Sequence, residues 1–434
     1  MALIDKLMEK DKKTKLFNFV NAFGHYSTGI LPLDYVNAFK LKWHDSDGKE
    51  HVDVVPGLIG GRFITIIGLS GGGKTTLADQ IAWNIIAPFE DGIMIHTDCE
   101  HTMLKARIYD LTDMKQDDPR FILNDTDTYI EDVMKQVDMI CETKEAAGLE
   151  AMYEIDGSWF GRDKVYIYYP TVIIIDSLPS FSSKDSKEDT LEGQMSTNRE
   201  VGKISQFYQK LLGRISKYNI TIIAINHIKA KIETNPYSYT KPQLMMLKQG
   251  ESLPRGEAPV FYASSVFRLN PAGMSSGYTK EEWGFDGFKC CLQVAKSKTT
   301  FIGGEINMVF REDMGYDPIY TLLQFAYDCG IVEGRNPGLY IKGAEEFKFS
   351  KKNFGSQFKL NPQFRAAVLK AIKPFLESIA GCKDVEEADK DKYISMSKLC
   401  ALDANGELIP INAVETDNGI ELVPPKKEEK PEKK

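Results

Sequence analysis

The chain is 434 residues long, 42% hydrophobic and 27% charged, with a formal net charge of -8. That balance suits a folded, soluble protein of one large domain with appendages, or of two to three domains, and argues against a surface coated in positive potential; contact with nucleic acid has to be local or be built by assembling many subunits. No apolar run reaches membrane-spanning length, and "MALIDKLMEKDKKTK" carries charges where a signal peptide needs an apolar core, so neither a membrane span nor an export signal is expected.

Residues 3–23 place Leu3, Leu7, Leu16, Phe19 and Phe23 at helical spacing and predict a small helical arm. "LKWHDSDGKEHVDVV", residues 41–55, predicts a polar hairpin turning at Asp47-Gly48. "RFITIIGL" predicts a strand, and "TTLADQIAWNII" a helix with Leu77, Ile81 and Ile85 on one face. "GIMIHTD", "TVIIIDS" and "ITIIAIN" are further short strands rich in β-branched residues, and such strands alternating with helices indicate a mainly parallel sheet flanked by helices, an α/β fold. After about residue 288, "FKCCLQVAKSK" and "GGEINMVFR" predict two strands of an antiparallel extension. "NPQFRAAVLKAIKPFLESIA" predicts a helix within a mixed segment at 319–412, and the Pro- and charge-rich 413–434 is expected to be a disordered tail. Seven cysteines, at 99, 141, 290, 291, 329, 382 and 400, form no C-x-x-C pair and suit buried thiols in a reducing compartment rather than a disulfide framework or zinc site.

"GLSGGGKTT" runs from Gly68 to Thr76 and satisfies G-x-x-x-x-G-K-[ST] between a strand and a helix. Gly68, Ser70, Gly71, Gly72, Gly73 and Thr76 belong to a loop whose amides converge on phosphates at the positive end of the helix. Lys74 is expected to reach the β- and γ-phosphates and Thr75 to ligate magnesium, with ATP and Mg2+ as the cofactors. Asp176 ends the "TVIIID" strand at the carboxyl edge of the sheet, where it can hold the magnesium through water. Glu100 follows Asp98 at the same edge and can orient and deprotonate the water that attacks the γ-phosphate.

These segments, in this order, resemble the RecA family of recombinases, and particularly the RecA-like recombinases of tailed bacteriophages. "YSTGILPLD" at 26–34 looks like the family's STG-x-L-x-LD segment, "DCEH" at 98–101 its catalytic-glutamate segment, and "IIIDS" and "AINHIKAK" its magnesium-site and sensor strands. "VFYASSVFRL" at 260–269 and "VAKSK" at 294–298 resemble its KFYAS-x-RL and VVKNK strands. The resemblance implies a RecA-like P-loop ATPase core at 26–318, an N-terminal oligomerisation arm at 1–25 that packs on the next subunit through residues near Phe17 to Phe23, and a small C-terminal α+β domain at 319–412.

It also implies roles. His227 takes the sensor position for the γ-phosphate, where bacterial relatives usually carry glutamine, and hands the signal to a DNA loop directly after it. In that loop Lys229 and Lys231 would face DNA phosphates, Ile232 would wedge between bases, and Arg255 and Gly256 fall near the family's Gly-Gly pair. A second DNA loop lies after Asp176, with Met195, Arg199 and Lys203 matched by approximate alignment and its acidic middle pointing outward. Lys296 and Lys298 would act as cations on the neighbouring subunit's ATP. The adenine-stacking residue stays open between Arg107 and Tyr109.

The function implied is a cytoplasmic DNA-dependent ATPase that forms a helical homo-oligomer on single-stranded DNA, with ATP at subunit interfaces, and exchanges that strand with a homologous duplex, assisted by a loader or single-strand-binding protein and by no membrane. A hexameric replicative helicase shares the core, but it would carry an arginine finger rather than a lysine pair and a large helical domain ahead of the core. A non-catalytic accessory paralogue would not need Lys74, Thr75, Glu100 and Asp176 together, and a small-molecule kinase would need an acceptor pocket and a lid.

Overall fold

The computed structural model describes residues 22–112, 114–161, 163–184, 193–230, 247–248, 250–271, 277–299 and 303–380, and the strands 412–416 and 419–423. Its centre is a 10-stranded sheet. Six strands are parallel and run, in spatial order, Ser265–Pro271, Phe63–Gly68, Ile220–His227, Thr171–Asp176, Ile93–Asp98 and Phe121–Asn124. Beside Ser265–Pro271 the sheet continues antiparallel through Gly287–Ser297, Glu305–Arg311 and Gly315–Tyr316, which is the predicted extension.

The continuous β-branched runs have a direct cause, since both faces of the parallel strands are covered. Val172 and Ile174 join one apolar cluster with Leu77, Ile81 and Ile85, while Ile173 and Ile175 join another with Phe207, Tyr208 and Leu211 of the helix Gly193–Lys217. The helix Lys74–Ile86 differs from its predicted single apolar face: Ala78, Asp79, Ala82, Trp83 and Ile86 are buried as well.

The predicted hairpin forms as Phe39–His44 against Glu50–Val55, with Gly48 at positive φ in its turn. A second hairpin, Met152–Asp156 with Lys164–Tyr168, stands off the main sheet. The two meet at Asp53, whose Oδ2 accepts from Trp43 Nε1 at 2.9 Å and Trp159 Nε1 at 2.5 Å.

A further apolar cluster unites Leu31, Tyr35, Val54, Val55 and Val309 with Ile319, Phe354, Phe364 and Ile372, so the chain carries one core across residue 318. The predicted C-terminal helix spans Pro362–Ile379, capped by the Asn361 side chain. Phe23 packs on Phe39 and Phe160 of its own chain, with ring centroids 5.8 and 5.5 Å away; the rest of the expected arm lies outside the described residues. Strands Asn412–Thr416 and Gly419–Val423 pair antiparallel where a disordered tail was expected to begin. The described cysteines are free thiols, and no described helix is long and apolar enough to cross a membrane.

Candidate active site

Parallel register brings four strand ends to one edge: Asp98 lies beside Asp176, and His227 beside Gly68. The glycine-rich turn leaves that edge and opens the helix at Lys74, with Gly73 as cap at φ 76°. Glycine is required there twice over, since a Cβ would also sit 2.8 Å from Tyr316 Oη. Tyr316 is buried beneath the loop and donates to Gly72 O at 3.2 Å, and Gln80 fixes Tyr316 by accepting from its N–H at 2.9 Å. Ser70 and Gly71 are exposed at the tip.

Lys74 is buried, and its Nζ donates to Leu69 O at 2.7 Å across the loop. Burial lowers its pKa, while Asp176 and Glu100 oppose that. Thr75 Oγ1 donates to Asp176 Oδ2 at 2.5 Å. Burial raises the Asp176 carboxyl to about 6, against the hydrogen bond from Thr75 and the charge of His96. Two hard oxygen donors this close beneath a phosphate loop suit magnesium.

Glu100 is oriented from three sides. Its N–H donates to Asp98 Oδ1 at 3.1 Å, Ser177 Oγ donates to its Oε1, and His227 Nε2 lies 3.3 Å from the same oxygen. Burial, and Lys74 after it, hold the His227 pKa below its ordinary 6.5, with Glu100 opposing.

The amide one residue before the strand's end joins the sensor position to the loop that follows. Buried Asn226 donates to Pro254 O at 3.1 Å and accepts from His227 N at 2.9 Å, tying the sensor position to the far foot of the following loop. The feet pair as Lys229 with Ser252 and Ala230 with Glu251. Ile228 is buried among Ile67, Leu253 and Val266 while Lys229 is exposed, which begins the expected period-two alternation. Arg268 clamps the foot through two 2.7 Å bonds to Glu251. Lys231 and Ile232 lie outside the described residues.

Arg255 and Gly256 do have the backbone of a glycine pair, with φ of 66° and 77°. The Arg255 side chain, however, turns inward: it donates to Leu178 O at 3.1 Å, Pro179 O at 2.8 Å and Glu200 Oε2 at 3.4 Å. Glu200, nearly buried, also accepts from Ser183 Oγ at 2.7 Å. Arg255 therefore joins the two expected DNA loops rather than facing a DNA phosphate, and Gly256 packs on Val201, where a Cβ would come within 2.8 Å of a methyl. Lys203 lies 3.6 Å from Glu131 on the outer helix Ile130–Ala147. Arg199 is exposed, and Met195 lies in the first turn of the helix Gly193–Lys217. The acidic middle of this loop lies outside the described residues.

Lys296 and Lys298 are not brought to this site. Lys296 pairs with Val266, which lies beside Thr65, whereas Gly68 lies beside Leu269. The lysines are therefore toward the opposite edge of the sheet, roughly 10 Å along the strands. Their Nζ atoms share one side, Lys296 donating to Val260 O at 2.6 Å and Phe261 O at 2.7 Å, and Lys298 to Tyr262 O at 3.4 Å. Burial, then Lys298, lowers the Lys296 pKa to about 8. Of the two adenine candidates, Tyr109 is committed elsewhere, edge-on to Phe121 with its hydroxyl accepting from Asp117 N, while Arg107 reaches Glu312 O on the segment ahead of Tyr316.

No family model matches the chain. It is 25% identical over 358 residues to the protein named RecA of Aquifex aeolicus, covering 81% of this chain and 87% of that protein. To RecA of Staphylococcus epidermidis it is 23% identical over 353 residues, covering 80% and 86%, and to RecA of Thermus thermophilus 25% identical over 300 residues, covering 66% and 74%.

Proposed function

We propose that the chain is a DNA-dependent ATPase of the RecA recombinase kind, acting in recombination and repair by coating single-stranded DNA as a helical filament and exchanging that strand with a homologous duplex. One observation carries the reading. The general-base candidate Glu100 lies against His227, and His227 ends a strand that runs directly into the feet of the expected DNA loop. A change at the γ-phosphate reaches that loop without any intermediary.

Lys74 and the loop amides bind and orient the phosphates, and Arg107 covers the base. Thr75 and Asp176 would hold a magnesium ion, which would offset charge on the phosphate oxygens. Glu100 takes the proton of the attacking water, with Ser177 and His227 fixing its carboxylate. Lys296 and Lys298, too far from their own site, serve the ATP of the next subunit, which makes hydrolysis depend on assembly. Lys229, with Lys231 and Ile232 beyond it, meets DNA, and Arg255 makes the two DNA loops move together. The relatives found are bacterial; the closer likeness to phage proteins rests on the sequence motifs. The filament works in the cytoplasm, that of the host for a phage protein, with a loader or single-strand-binding protein.

The test is ATP hydrolysis with and without single-stranded DNA at fixed salt. DNA should stimulate turnover several-fold or more, and a rate indifferent to DNA would overturn the proposal. The same assay reads the sensor. Because the His227 pKa is depressed, the neutral ring is the working form above pH 6.5; as pH falls through its lower pKa, the imidazolium pairs with Glu100 and removes the base. Wild-type turnover should therefore fall below pH 6.5 by more than the loss expected as Asp176 protonates near 6, and His227→Gln should leave only the Asp176 part. An identical fall in that variant would take the sensor role away from His227.

A further inference from the structure

Behind the metal-side residues lies a polar pair that the steps above leave unused. Asp79, on the helix Lys74–Ile86, and His96, on the strand Ile93–Asp98, are both 0% exposed. His96 Nδ1 lies 2.7 Å from Asp79 Oδ1. The other ring nitrogen, Nε2, has no hydrogen-bond partner among the described residues, and neither has Asp79 Oδ2. Nε2 faces Asp176 Oδ2 at 4.0 Å, the oxygen that accepts from Thr75.

An apolar pair of the same volume would pack here at lower cost than two buried polar groups with unmet hydrogen bonds, so their presence calls for a functional cause. We propose that His96, oriented by Asp79, is a positioning residue that fixes the Asp176 carboxylate for the magnesium of the bound nucleotide. The inference rests on the nucleotide reading of Thr75 and Asp176.

The geometry supplies the reason. Thr75 approaches Asp176 Oδ2 from the phosphate loop, and His96 approaches it from the interior of the sheet. With a donor on each side, the carboxylate loses its freedom to rotate and presents one edge to the metal. A movement of about 1 Å by either side chain turns the 4.0 Å contact into a hydrogen bond. Asp79 serves His96 as a carboxylate serves a metal-bound histidine, by taking the opposite N–H and fixing the ring plane. The two contacts place the ring between the two carboxylates, with Nδ1 toward Asp79 and Nε2 toward Asp176.

The sequence signal was a pair of polar residues at core positions, Asp79 one helical turn before Trp83 and His96 directly after the apolar run Ile93-Met94-Ile95.

A single substitution at His96 would leave Asp79 buried without its partner and threaten the fold. The informative variant is therefore Asp79→Leu with His96→Phe, which removes the pair and fills its volume. A fluorescent ATP analogue is titrated with the full chain in EDTA, and then with Mg2+ at fixed nucleotide. The double variant should melt at or above the wild-type temperature and match its affinity in EDTA, but require about ten-fold or more Mg2+ for half-maximal tightening. Equal Mg2+ requirements in the two proteins would overturn the inference. If wild type itself gains nothing from Mg2+, the nucleotide reading fails and takes this inference with it.

Discussion

Lys296→Ala leaves ATP binding by the single subunit intact and lowers DNA-stimulated hydrolysis by about 10³-fold or more, the range for a cation supplied to a transferring phosphoryl group from a neighbour. The expectation follows from placement. Lys296 pairs with Val266, toward the amino ends of the parallel strands, while the phosphate loop leaves their carboxyl ends, so Lys296 cannot reach the nucleotide of its own chain. In the free subunit its ammonium donates to the end of the helix Ala258–Tyr262. A retained melting temperature in the variant separates the lost cation from a lost helix end.

The pH dependence adds a second readout. The Lys296 pKa is lowered to about 8 in the free chain, and a neighbouring phosphate would raise it again. A pKa raised on assembly means that the contribution is fully present below about 8 and is lost as pH climbs through the assembled value. Nucleotide-dependent assembly should weaken at alkaline pH in wild type and hold in Lys296→Arg, whose charge persists. Normal DNA stimulation in Lys296→Ala would refute the assignment.

Glu100→Gln has the second-largest effect. Glutamine can still accept from Ser177 and contact His227 but cannot take a proton, so hydrolysis should fall by about 10² to 10⁴-fold while nucleotide and DNA binding persist. Stable, hydrolysis-deficient assemblies on DNA are expected, measured as turnover against anisotropy of labelled single-stranded DNA. A variant that turns over normally would assign the base elsewhere.

The features legible in the sequence were local ones. The phosphate loop, its helix and the parallel strands declare themselves through contiguous glycines, Lys74-Thr75 and β-branched runs, because each residue's role depends on neighbours in the chain. Asp98, Asp176 and His227 were legible for a related reason: a polar residue closing an apolar strand lands at the functional edge of a parallel sheet. What escaped depends on distant partners. Arg255 was placed near the family's Gly-Gly pair in a DNA loop, but its acceptors lie at Leu178, Pro179 and Glu200, which only the fold brings near. Asn226 finds Pro254, and Trp43 and Trp159 find Asp53, in the same way. The partner of Lys203, Glu131, was likewise out of view, on a helix more than seventy residues earlier.

The central claim is that ATP at subunit interfaces builds a filament on DNA. Negative-stain electron microscopy of the protein with single-stranded DNA and a slowly hydrolysed ATP analogue tests it most directly. Continuous helical filaments that are absent without nucleotide are the predicted result. Closed rings would contradict it, pointing to a translocating helicase and ending the argument from the lysine pair.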